Sequence, residues 1–165
     1  MPMPTRDAAG FTLLEIVLVL SIMALGAVLV APSLGGGLGH WRLQSAAREV
    51  GTMAKFARNQ AVARGQRFQV VLDRSRGMYW LDNEPPTLAD PDTAGRQGIR
   101  LYTLPPGVHF GDFTLDGARV ERDRVAFVFF PRGDSTGGEV RVVAERGAGY
   151  GVAVDRMTGR VDVHP

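Results

Sequence analysis

From Ile16 to Ala31 the only polar side chain is Ser21, whose hydroxyl can bond back to a helix carbonyl. Counted from Phe11, the apolar stretch is about 20 residues long, which as a helix crosses roughly 30 Å of hydrocarbon. In lipid even β-branched residues stay helical, because every backbone N–H must be bonded internally. The pattern predicts a transmembrane helix over residues 11–31. Pro32 lacks the N–H that would continue it. Residues 33–39 hold four glycines, which predicts a hinge or unwound segment over 32–39. Residues 40–64 then repeat every three or four positions. Leu43, Ala46, Val50, Met53, Ala57 and Ala61 form one narrow apolar stripe, and Arg42, Glu49, Lys55, Arg58 and Asn59 fall largely outside it. This is an amphipathic helix suited to close packing on a sheet, with Gly65 as its stop. Trp41 suits either a membrane interface or a core contact.

After Gly65 the period changes to two. Phe68, Val70 and Leu72 alternate with Arg67, Gln69 and Val71, and Asp73–Gly77 turns the chain into Met78–Leu81 as a hairpin partner. Residues 82–98, with three prolines, two glycines and several acids, predict a surface loop. Short strands are expected at 99–104, 107–115, 124–131, 138–146, 149–155 and 160–164, separated by glycine-bearing turns. Ala126–Phe130 is apolar on both faces and is expected to be the most buried strand. The fold class is therefore α+β: a long N-terminal helix, half transmembrane and half amphipathic, packed on an antiparallel β domain spanning 66–165. The expected core sets Leu43, Val50, Met53 and Ala57 against Phe68, Val70, Phe127, Phe129, Val140, Val142, Val152 and Val154.

Composition narrows the function classes. The chain has 165 residues, a net charge of +2 and no cysteine, which excludes disulfides and cysteine-ligated metal sites. Several patterns carry candidate chemistry. Gly133–Gly138 resembles a serine-protease nucleophile loop, but an inserted threonine breaks its spacing, and His40, His109 and His164 have no triad context. Arg132-Gly133-Asp134 matches an integrin tripeptide, a length too short to count. Asp90-Pro91-Asp92-Thr93-Ala94-Gly95 begins like an EF-hand but puts Ala94 and Leu101 at ligand positions. Asp82, Glu84, Asp90 and Asp92 are left as a non-EF calcium candidate, second to a solvated acidic loop. Arginines 119, 122, 124, 132, 141, 146, 156 and 160 read as a solvated face, with Arg141 sharing an outward parity with Glu139 and Glu145. No catalytic residue, metal site or cofactor is assigned, and the chain is not read as an enzyme.

The remaining feature is Glu15, a carboxylate inside an apolar helix. Gly10, then Phe11-Thr12-Leu13-Leu14-Glu15, then the apolar run, resembles the class III signal of type IV prepilins and pseudopilins. A Sec signal or an ordinary anchor are the competing readings, and proline after Ala31 disfavours Sec cleavage there. The resemblance implies a 1–10 leader, cut between Gly10 and Phe11 by a prepilin peptidase that also N-methylates Phe11. It implies that Glu15 pairs with the N-terminal amine of a neighbouring subunit during assembly. The leader departs from the family in that Asp7 offsets Arg6, and Met3 is an alternative start. The run Ala57–Gly65, the turn Phe129–Gly133 and the closing hairpin near Thr158–Val161 are further similar to the H-type minor pseudopilins of type II secretion, the GspH/FimT family. That resemblance implies a structural subunit of a periplasmic pseudopilus, anchored in the inner membrane with its C-terminal domain in the periplasm. Its partners would be the prepilin peptidase and other pseudopilins, major and minor. The alternative is a minor type IV pilin of the FimT type in pilus assembly or DNA uptake, and DNA is a partner only under that alternative.

Overall fold

The computed structural model describes residues 12–83, 92, 99–115, 117–145 and 147–165, with the side chains of 27–38 also outside the description. Two compact units result, Met1–Leu38 and Gly39–Pro165.

One helix, α1, runs Leu13–Arg64. Residues 32–39, expected to unwind as a hinge, are helical in it, and Pro32 does not end it. Proline costs a helix about 3 kcal/mol and each glycine about 1. Those costs do not force a break where the helix continues on both sides and needs no new nucleus. The division between the two units falls at the end of this glycine-dense stretch. In the first unit the described apolar side chains face outward; Leu14 is 76% and Met23 67% exposed. Among the described residues no helix carries an apolar window long enough to cross a membrane. The expected 11–31 span extends beyond them, at Phe11 and at the side chains from 27 onward.

Among the described residues of the second unit nine strands follow: β1 Phe68–Asp73, β2 Met78–Asp82, β3 Leu101–Thr103, β4 Val108–Leu115, β5 Ala118–Val120, β6 Arg124–Phe129, β7 Gly138–Ala144, β8 Gly149–Val154 and β9 Val161–His164. Every pairing is antiparallel. They form two sheets, β3-β2-β1-β6 and β5-β4-β7-β8-β9. The strands expected from residue 99 onward appear with trimmed ends, β1 and β2 run one residue longer than expected, and β5 is additional; three residues are too few to show a period.

The alanine-rich stripe of α1 lies against both sheets. Leu43, Val50, Ala57, Phe68, Val70, Phe127, Phe129, Val140, Val142, Val152 and Val154 are all buried together, with Met53 partly buried beside them. The most buried strand is β1, not the Ala126–Phe130 strand: all six β1 residues are buried, whereas β6 alternates. The reason is position. β6 is the edge of its sheet, and β1 is flanked by β2 and β6. The second face of β1 is covered as well, with Val71 in a separate cluster with Trp80.

Candidate functional site

Gly10 and Phe11 lie outside the described residues. The helix they precede begins with a built cap. Thr12 Oγ1 accepts from the Glu15 amide at 3.2 Å, and Thr12 O accepts from the Ile16 amide at 3.2 Å. Thr12-Leu13-Leu14-Glu15 is thus a capping-box sequence, with Glu15 at the third helical position. An acid in the first turn also faces the positive end of the helix dipole. Glu15 itself is exposed. Two turns on, Ser21 Oγ donates to Val17 O at 2.8 Å, satisfying the only polar side chain of the run.

In the second unit, Arg58 ties the helix to two distant turns. Its Nε donates to Thr158 O at 2.8 Å and to Gly133 O at 3.3 Å. The Thr158 turn is closed from within by Asp155, whose Oδ1 accepts from the Thr158 amide at 2.8 Å and its hydroxyl at 2.7 Å. Those bonds hold the Asp155 carboxyl below the usual carboxylate range. Helical periodicity placed Arg58 on the solvent side of the stripe. Only its proximity to two glycine turns reveals its role, and that proximity is tertiary.

The loop that resembled a protease nucleophile has structural uses for its serine. Ser135 Oγ donates to Asp155 O at 2.9 Å and accepts from the Gly137 amide at 3.0 Å. Of the arginines expected on a solvated face, Arg119 pairs with Asp112 at 2.7 Å, Arg124 with Asp73 at 2.7 Å and Arg160 with Asp162 at 3.2 Å. Arg141 is exposed on the outer face, and Glu139 on that face lies 3.6 Å from His164. For the calcium candidate, Glu84 and Asp90 lie outside the described residues, Asp92 pairs with Arg76 at 3.3 Å, and Asp82 accepts from Gln69 at 3.3 Å. No group of three or more metal-capable side chains occurs among the described residues.

Two grooves flank α1. One, of about 640 Å³, lies between the helix and the β2–β3 edge, lined by Glu49, Met53, Phe56, Leu81, Ile99 and Tyr102 among others. At its wall Tyr79 donates to Glu49 Oε2 at 3.4 Å and stacks on Tyr102 at 5.5 Å. Burial, then the neighbouring Glu49 carboxylate, raises the Tyr79 hydroxyl above its ordinary pKa. The other groove is polar and lies between Lys55, Arg58 and Asn59 of the helix and the Thr158–Asp162 turn.

The sequence matches two family models, type II transport protein GspH over residues 46–158 and the prokaryotic N-terminal methylation motif over residues 5–31. Type II secretion system protein H of Xanthomonas campestris pv. campestris is 31% identical over 175 residues, covering 99% of this chain and 88% of that protein. Among solved structures, the minor pseudopilin EpsH from the type 2 secretion system of Vibrio cholerae aligns at a TM-score of 0.55 and 14% identity, over 74% of this chain and 95% of that one. The type IV minor pilin FimU of Pseudomonas aeruginosa aligns at 0.53 and 16% identity, over 74% and 88% respectively. At such identities the structural likeness is one of fold.

Proposed function

The chain belongs to the type II transport protein GspH family, and from that premise we propose that it is a minor pseudopilin, a structural subunit of the periplasmic pseudopilus of a type II secretion system. The observation that carries the reading is the coincidence, on one chain, of the methylation-motif match at 5–31 and the GspH match at 46–158. The helix-and-two-sheet fold supports it.

In this reading residues 11–31 anchor the chain in the inner membrane, with the leader 1–10 cytoplasmic and residues 39–165 periplasmic. Prepilin peptidase cuts between Gly10 and Phe11 and methylates Phe11. The freed amine lies about 6 Å, one helical turn, from the Glu15 level. A carboxylate in lipid lacks water to solvate it, so an ammonium from an adjacent subunit is its natural counter-charge. That pairing sets the axial register as subunits of the filament are added. The minor type IV pilin of the FimT type remains the second reading, favoured by the basic side chains Lys55, Arg58 and Arg160 around one groove. The ion pairs made by Arg119, Arg124 and Arg160 reduce the positive charge such a DNA contact would draw on.

The test is the intact mass of the protein extracted from membranes. A mature chain that begins at N-methylated Phe11 is expected. A chain beginning at Ser33, or an uncut precursor, overturns the reading.

A further inference from the structure

Trp41 makes no core contact: it is 69% exposed. It lies about 180° around the helix from Val50, a member of the buried cluster, so it points away from the sheets. Its neighbour His40 is committed to β8, with its ring 6.0 Å from that of Tyr150 and its Nε2 3.4 Å from the Tyr150 hydroxyl. That pair ties down the first turn of the second unit and leaves Trp41 on the outward face. Arg42 beside it is exposed and forms no ion pair among the described residues.

An indole is favoured where lipid headgroups offer an apolar bed and a polar edge together. Trp41 stands two residues into the second unit, which begins at Gly39. After Glu15 the next formally charged side chain is Arg42, so residues 16–41 carry no formal charge. They are helical throughout. At 1.5 Å per residue they make about 39 Å of helix, or about 37 Å along the bilayer normal at a typical tilt of about 20°. The hydrocarbon core and one headgroup layer together are about 36 Å thick. We propose that Trp41 lies in the periplasmic headgroup layer of the membrane and that Arg42 binds lipid phosphates there, so that the second unit is seated on the lipid surface by its first helical turn. The proposal rests on the membrane-anchored reading above. It sets the level at which the chain leaves the bilayer, about ten residues beyond Ala31.

The chain has two tryptophans, and the other, Trp80, is fully buried. Subtracting the emission of Trp41→Phe from that of the wild type therefore isolates Trp41. Full-length protein extracted from membranes is reconstituted into vesicles of phosphatidylethanolamine and phosphatidylglycerol that carry a nitroxide either on the headgroup or at mid-chain. The headgroup label is expected to quench Trp41 about threefold more than the mid-chain label. Asn59→Trp in the Trp41→Phe background puts an indole on the same helix face about 27 Å farther along, where neither label should reach it. Arg42→Glu should lower the headgroup quenching about twofold, and Arg42→Lys should keep it. A thermal melt of each variant verifies folding. Trp41 unquenched by either label, or quenched more from mid-chain, overturns the proposal. Blue-shifted emission without quenching also overturns it, because a protein partner then covers the indole. Quenching indifferent to Arg42→Glu overturns the phosphate contact. Flotation of the same vesicles reports insertion. A chain that floats and keeps Trp41 unquenched refutes this contact alone, whereas a chain that does not float refutes the anchored reading.

Discussion

Asp73 is a fully buried carboxylate at the end of β1 that accepts from Ser75 Oγ at 2.7 Å, from the Arg76 amide at 3.0 Å and from Arg124 Nε at 2.7 Å. Burial alone would raise its pKa. The bonds from Ser75, Arg124 and the Arg76 amide, with the Arg124 charge, outweigh that and hold it below the ordinary value. The folded pKa is lower than the unfolded one, about 3.9. Asp73 therefore stabilises the fold above that pH, and its contribution is lost as pH falls through the folded value. Urea melts from pH 6 down to pH 2 should show the wild type losing stability below about pH 4. Asp73→Asn should be less stable at pH 7 by roughly 2–4 kcal/mol and flatter with pH. Beside this turn Arg74 reaches over to the other sheet, donating to Val120 O at 3.2 Å and lying 4.7 Å from the Phe113 ring. The acid-sensitive carboxylate and this tie between the sheets thus flank one turn. The sequence marks Asp73–Gly77 as a turn, but not that its acid is buried, since that depends on Arg124 arriving from β6, far along the chain.

At the scale of elements, the helix meets the second sheet where it has no side chain. A Cβ at Gly51 would come within 2.7 Å of Val163 Cγ2 and 3.8 Å of Val152 Cγ1. Gly51→Leu should therefore lower stability by about 1–3 kcal/mol, by denaturant melt, although leucine is the better helix former. Periodicity shows the apolar stripe of α1 but not the approach distance that makes glycine necessary. The same division holds elsewhere. Alternation reveals most strands and their inward residues, because each strand has a solvated or half-solvated face. It misjudges β1 and β6, because burial on a second face is decided by neighbours in the sheet and not by the strand's own pattern. It also gives a break at Pro32 and the following glycines where the structure continues the helix, since local propensity cannot register the support of helix on both sides. At the helix start, the Thr12–Glu15 capping box is present in the sequence, yet the resemblance to a processing signal accounts for the same residues in a different way. The cap bond uses the Glu15 amide, so it is compatible with the assembly role proposed for the carboxylate.

As a whole, the molecule is a helix start with outward apolar side chains and a separately cored unit at Gly39–Pro165. That unit has its own buried cluster, from Leu43 to Val161. Expressed alone, residues 39–165 should fold cooperatively, giving a single thermal transition and a protected β core in hydrogen exchange; a chain without a transition would show that the helix start is needed for folding. The N-terminal methylation motif was the most legible part in the sequence, because such a motif is a linear string. The contacts of Arg58 and the two grooves were not legible, because each is assembled from residues far apart in the chain. If this chain is a structural subunit of a secretion pseudopilus, joined to it through Glu15, secretion depends on the chain and on that carboxylate. The most direct measurement is the amount of a secreted effector in the medium of a strain lacking the chain and complemented with wild type or with Glu15→Ala. The deletion strain is expected to keep its effectors in the periplasm, wild type to restore secretion, and Glu15→Ala not to. Full secretion by the uncomplemented deletion strain would contradict the subunit role, and full secretion by Glu15→Ala would contradict the attachment through Glu15.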